Sequence, residues 1–234
     1  MFGVTHLVGF GSGGDGEPIP GFKAWYRGDG YVSGTWTDRS ANGYNLTEAT
    51  NPPAVVASDT NFNGHPVVDF DGTNDVLSGT TFSNLIAAGA FTIFGVIRAD
   101  NFGSADTGKG TERGVYGGTG GFTGLALGLT QFEGHNYDGT DDYTNNPTIS
   151  LSTVYGFDYR HDTGNILLLV SGKAEASAAS GNTTDLTNAL KVGVGFSEFW
   201  DGRIAELIFY NTVLSTAERQ VVRDYLAKRY LITW

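Results

Sequence analysis

The chain of 234 residues contains no cysteine, which excludes a disulfide framework and leaves its redox compartment unmarked. Basic residues are scarce, with 14 Lys and Arg against 25 Asp and Glu, a formal charge of −11. That balance argues against nucleic acid and against anionic membrane as partners, because phosphate binding needs a concentrated basic surface. It is compatible with neutral sugars, with cations or with a purely structural surface. No apolar run is long enough to span a bilayer, and the stretch Met1 to Phe10 lacks the basic and long apolar regions of a signal peptide. The expectation is synthesis in the cytoplasm without a signal peptide, and no membrane insertion. Phosphate-loop and Gly-x-Ser-x-Gly patterns are missing too. The four histidines, His6, His65, His135 and His161, have no zinc-ligand spacing.

Glycine and aromatics are plentiful: 35 Gly, 15 Phe, 11 Tyr and 4 Trp. Frequent turns between aromatic-rich strands suit a sandwich or barrel, and the length suits one large β domain. Residues 1–20 stand apart. Gly9 to Gly16 is glycine-rich and is closed by Pro18 and Pro20. One reading is a disordered tail. The other is an attachment arm whose apolar anchors Phe2, Val4, Leu7, Val8 and Phe10 order against a partner. Residues 21–234 read as a single domain.

Within that domain, Phe22–Tyr26, Val67–Phe70, Asp75–Leu77 and Ala90–Arg98 read as strands, and Ser83–Gly89 as a short helix capped by Ser83. Later strands are expected at 113–117, 123–129, 149–159, 165–171, 173–178 and 190–196. The tail is the most legible part. Arg203–Tyr210 is an apolar, β-forming run after the Asp201-Gly202 turn. Ser215 and Glu218 form a capping-box pattern that opens a helix. Ala217, Val221, Val222, Tyr225 and Leu226 mark its apolar stripe, which leaves Glu218, Arg219, Arg223 and Lys228 on the wet face.

Two loops carry ligand chemistry. Gln131–Pro147 supplies His135, Asn136, Tyr137, Asp141, Asp142, Tyr143 and Asn145 as sugar-binding candidates, since aromatics stack on sugar rings while Asp and Asn bond hydroxyls. Its alternative is a polar surface loop with structural tyrosines. Asp71, Asn74 and Asp75 offer oxygens for calcium. The competing account is a turn in which Asp and Asn cap their own backbone. Trp25 and Trp36 read as core, and Asp38 and Ser40 as stabilising their own turn.

Three segments together resemble the concanavalin A-like superfamily, in its laminin-G-like branch. They are Ala24-Trp-Tyr-Arg-Gly-Asp29 with Trp36-Thr-Asp-Arg-Ser-Ala-Asn-Gly43, then Pro66-Val-Val-Asp-Phe-Asp-Gly-Thr-Asn-Asp-Val-Leu77, and finally the tail Asp201–Tyr230. The resemblance implies an all-β fold: a two-sheet antiparallel jelly-roll sandwich with one C-terminal α-helix. Calcium on the sandwich rim is a frequent property of that branch. Its hydrolytic relatives carry a Glu-x-Asp-x-x-Glu array, and no such array occurs here. Glu198, Asp201 and Glu206 come nearest, but a turn interrupts them.

The opening Met1-Phe-Gly-Val-Thr-His-Leu-Val-Gly-Phe-Gly11 resembles the start of virion proteins of tailed bacteriophages and phage-like particles. Together the resemblances imply a non-enzymatic carbohydrate-binding, lectin-like or structural protein of a particle surface, as a spike, fibre or capsid decoration. It would adhere to host surface polysaccharide, contact other particle proteins through its arm and assemble as a homo-oligomer. Two further readings stay open: a glycan-processing enzyme with an unrecognised carboxylate site, and a ligand-free structural adaptor.

Overall fold

The computed structural model describes residues 16–48, 50–103, 112–118, 123–137, 139–144, 148–181, 186–195 and 198–234. The anchors Phe2, Val4, Leu7, Val8 and Phe10, together with Asn145, lie outside the described residues. The chain enters through β1 (Ala24–Val32) and β2 (Thr35–Asp38), then β3 (Leu46–Thr47), β4 (Ala54–Asp59) and β5 (His65–Asp71). Strand β6 (Leu77–Thr81) meets a one-turn helix α1 (Phe82–Leu85) and leads to the long β7 (Ala90–Ala99). An antiparallel meander follows in β8 (Arg113–Gly117), β9 (Gly124–Leu127), β10 (Phe132–Tyr137) and β11 (Asp141–Tyr143). Next come β12 (Val154–Asp162), β13 (Asn165–Val170) and β14 (Ala176–Ala179). The short strands β15 (Ala189–Val192), β16 (Val194–Gly195) and β17 (Glu198–Phe199) precede β18 (Asp201–Tyr210) and the terminal helix α2 (Thr216–Tyr230).

The protein is therefore mostly β with one C-terminal helix. Among the described residues, the ladders join all eighteen strands into one curled, nearly closed hydrogen-bonded network rather than two separate sheets. Every pairing except β8 with β17 is antiparallel. None of the described helices is long and apolar enough to cross a membrane.

Strands β7 and β18 lie side by side at the centre and are buried on both faces, which explains their near-continuous apolar sequences. Phe91, Ile93 and Ile97 of β7, with Ile204, Leu207 and Phe209 of β18, face the main core. Phe94, Val96, Ala205, Ile208 and Tyr210 face the layer closed by Val222, Tyr225, Leu226 and Tyr230 of α2. Burying each large apolar side chain contributes about 1.5–3 kcal/mol. A register shift between Ile204 and Glu206 turns Ala205 and Glu206 toward the helix together.

The helix differs from its sequence reading. Its capping box is as expected, with Ser215 accepting from the Glu218 amide and Glu218 from the Ser215 amide. Val221, however, is 44% exposed, whereas Arg219 and Arg223 are buried. Asp158 on β12 is the reason. Its Oδ2 accepts from Arg219 Nη1 at 3.1 Å and Arg223 Nη1 at 2.7 Å. Burial pushes the Asp158 carboxyl pKa up, against the pull of Arg219, Arg160 and Arg223. Glu206 forms a second polar anchor. It accepts from Trp25 Nε1 at 2.5 Å and from the Tyr225 and Tyr230 hydroxyls at 2.7 Å each. Burial raises its pKa as well.

Three other local expectations shift. The short helix is capped at Thr81, without a side-chain bond, and not at Ser83. Strand β12 begins at Val154 because the chain turns at Leu151 and Ser152 just before it. Within Gln131–Pro147, read as a loop, Phe132–Tyr137 and Asp141–Tyr143 form β10 and β11. The turn at Asp38 agrees: its carboxylate accepts from the Trp25, Ser40 and Tyr44 amides.

Candidate functional site

The β10–β11 hairpin places most of the sugar-binding candidates on a ladder. Its register pairs His135 with Tyr143, Asn136 with Asp142, and Tyr137 with Asp141. Directly opposed residues share a face, so the candidates separate into two groups. His135, Tyr143, Tyr137 and Asp141 occupy one face as a rectangle. The tyrosines stand at the ends of one diagonal, His135 and Asp141 at the ends of the other. Asn136 and Asp142 occupy the opposite face, where they fasten the hairpin to the end of β14. Asn136 Nδ2 donates to Ser180 Oγ at 2.9 Å, and Asp142 Oδ2 accepts from the Gly181 amide at 3.3 Å. Asn136 is fully buried there and Asp142 half-buried.

The hairpin is tied down from below. Gly134 lies under the Tyr159 ring, and a Cβ there would sit 2.6 Å from Tyr159 Cε2. Only a residue without a side chain fits. The Tyr159 hydroxyl donates to the His135 carbonyl at 2.6 Å. Thr144 bridges back, its amide donating to the Gly134 carbonyl and its Oγ1 accepting from the Gly134 amide, both at 3.0 Å. Tyr137 is fixed by its amide, which donates to Thr123 Oγ1 at 3.1 Å.

On the rectangle's face, His135 is fully buried and held between two carboxylates. Asp141 Oδ1 lies 3.3 Å from its Nδ1 and Glu133 Oε2 lies 3.3 Å from its Nε2. Glu133 is fully buried as well, and Gln131 Nε2 donates to its Oε1 at 3.2 Å. Burial by itself would lower the imidazole pKa. The bonds and charges of Asp141 and Glu133 outweigh it and raise the pKa above the ordinary 6.5. The Tyr143 ring lies 5.8 Å from the imidazole. On the neighbouring strand β9 the residues opposite His135 and Glu133 are only Gly124 and Ala126. Tyr137, Asp141 and Tyr143 are half-buried, so the face presents two partly open aromatic rings and a carboxylate, with the imidazole buried among them.

Sequence reasoning missed Glu133, which lies in the candidate loop but was not among its candidates. Its signal is the alternation Glu133, His135, Tyr137, which places the three on one side of a strand.

The other candidate loop resolves differently. Asp71 Oδ1 accepts from the Thr73 amide at 2.8 Å and the Asn74 amide at 3.4 Å, while Asp75 Oδ2 accepts from the Asp71 amide at 2.9 Å. These carboxylates cap their own turn. Among the described residues no group of three or more His, Cys, Asp or Glu side chains is placed to hold a metal ion. Glu198, Asp201 and Glu206 do not converge with the hairpin; Glu206 is enclosed under α2.

No family model matches the chain, and no curated protein matches its sequence. Solved structures do match its fold. A Trypanosoma rangeli sialidase in complex with 2,3-difluorosialic acid aligns with 96% of this chain and 35% of its own, at 15% identity and a TM-score of 0.63. Domain 4 of AbnA, a GH43 extracellular arabinanase from Geobacillus stearothermophilus in complex with arabinotriose, aligns over 88% of this chain and 98% of its own (13% identity, TM-score 0.58). The enzymatically active domain of bacteriophage CBA120 tailspike protein 2 covers 77% of this chain and 30% of its own (14% identity, TM-score 0.50). The chain thus spans about a third of the sialidase and tailspike chains but nearly all of the arabinanase domain. At these identities the likeness establishes a shared fold.

Proposed function

We propose that this protein is a non-enzymatic carbohydrate-binding component of a phage or phage-like particle, adhering to host surface glycans through the β10–β11 hairpin. The observation that carries the reading is the rectangle itself. Tyr137 and Tyr143 stand half-open on one strand face with Asp141 and His135 between them. Aromatic faces stack on sugar rings, and a fixed carboxylate accepts from hydroxyls; few, well-placed polar groups among aromatics are the usual composition of a small-ligand site.

The fold likeness supports this choice of ligand class. The matched sialidase and arabinanase structures hold a sialic acid derivative and arabinotriose, and the matched tailspike belongs to a bacteriophage. The laminin-G-like jelly roll is the version of the fold that the segments at Ala24, Pro66 and Asp201 favour. A non-enzymatic role is favoured because both carboxylates of the face, Glu133 and Asp141, are engaged with His135. On this reading Phe2, Val4, Leu7, Val8 and Phe10 attach the domain, as a homo-oligomer, to other particle proteins.

Binding of purified host surface polysaccharide, measured by calorimetry with calcium present and absent, tests the proposal. Saturable binding without release of reducing sugar is expected. Absence of binding in both conditions would remove it.

A further inference from the structure

From the way Glu133 and Asp141 enclose His135, we infer that the hairpin selects uncharged glycans and rejects carboxylated ones, with Asp141 as the specificity-determining side chain. The inference rests on the proposed binding role of this hairpin.

The formal charges on the face are unequal. One imidazole lies between two carboxylates, at 3.3 Å on either side. Even with the ring fully protonated, the group keeps one negative charge. The hairpin's own sequence does not offset it. Residues 131–147 contain Glu133, Asp138, Asp141 and Asp142 but no Lys or Arg, and the whole chain carries −11. Recognition of a sugar carboxylate relies on guanidinium or ammonium donors in bidentate or point contact. Here the charge that faces an incoming ligand has the opposite sign to that requirement.

Each ring nitrogen lies 3.3 Å from a protein carboxylate oxygen and the ring is fully buried, so it is not available as the cation for a ligand anion. Asp141 differs from Glu133 in one respect. Its side chain is 26% exposed, whereas that of Glu133 is fully enclosed. Asp141 is therefore the carboxylate a ligand meets. It suits a hydroxyl, which donates to it, and it repels a carboxylate, which has nothing to donate. Partial burial strengthens the repulsion, because screening weakens away from bulk water.

The test uses an array of matched pairs, each a neutral oligosaccharide and its sialylated or uronic-acid counterpart, applied to the full chain and to Asp141→Asn. The neutral member is expected to bind about tenfold more tightly, a difference of about 1.4 kcal/mol. In Asp141→Asn, with a native circular-dichroism spectrum and a cooperative melt as the check on folding, the gap is expected to narrow to about threefold as acidic members gain affinity. Equal or tighter binding of the carboxylated members by the native chain would overturn the inference and leave glycan binding standing. A gap that persists unchanged in Asp141→Asn would overturn the assignment to Asp141. If no member binds at all, the binding role fails and the selectivity fails with it.

Discussion

Asp141 reaches across the β10–β11 turn to place its Oδ1 3.3 Å from the Nδ1 of His135. This contact joins the two strands on the face that carries Tyr137 and Tyr143, so it both holds the hairpin and shapes its surface. The direct consequence is a pH dependence. His135 has a folded pKa above its ordinary 6.5 despite the opposing effect of burial, owing to Asp141 and Glu133. A raised folded value means the native state binds the proton more tightly than the unfolded chain. The stabilisation is fully present below about pH 6.5 and is lost as pH rises through the folded value. Urea unfolding from pH 6 to 9 should show falling stability in the native chain and a smaller fall in Asp141→Asn. An identical slope in both would argue against this coupling.

Gly134→Ala should cost about 1–3 kcal/mol. The added Cβ would lie 2.6 Å from a Tyr159 ring atom, and the ring is pinned because its hydroxyl donates to the His135 carbonyl at 2.6 Å. Thermal melting gives the stability change, and any glycan affinity should fall with it because the rectangle sits directly above.

Asp158→Ala should destabilise by about 3–5 kcal/mol, since it leaves two buried guanidinium groups without their shared acceptor. Arg219 and Arg223 both donate to Asp158 Oδ2. Chemical denaturation measures the loss. A change below about 1 kcal/mol, the range of surface ion pairs, would show that α2 is not anchored there.

Ser215→Ala should cost about 0.5–2 kcal/mol through loss of the helix cap. The Ser215 hydroxyl accepts from the Glu218 amide at 3.3 Å, and the reciprocal bond to Glu218 is 2.8 Å. Amide exchange in residues 216–219 should rise first, because those amides lie in the first turn.

The sequence discloses the backbone pattern better than the polar burial. Strands β7 and β18 and the start of α2 are legible because apolar runs, β-forming residues and a capping box are local signals. Arg219 and Arg223 are not, because only the fold brings Asp158, more than sixty residues earlier, beneath the helix. The same applies to Glu206, whose partners Trp25, Tyr225 and Tyr230 come from both ends of the chain. At the candidate site the residue types are visible but their geometry is not. Glu133, His135 and Asn136 lie in a segment whose polar composition reads as a surface loop, yet each is fully buried. In sequence the Asp138-Gly139 pair is a hairpin signal that a surrounding run of polar residues obscures. Once the hairpin register is known, alternation alone separates Asn136 and Asp142 from the four residues on the other face, of which Tyr137, Asp141 and Tyr143 are half-buried and His135 fully buried.

The most direct test of the account is titration of a host surface polysaccharide into the native chain and into Tyr137→Ala and Tyr143→Ala variants, read by calorimetry. Both rings flank the His135–Asp141 contact on the open face. Loss of one stacking platform should weaken binding about tenfold, or about 1.4 kcal/mol, with melting temperature little changed. Native-like affinity in both variants would contradict the assignment of glycan binding to this hairpin.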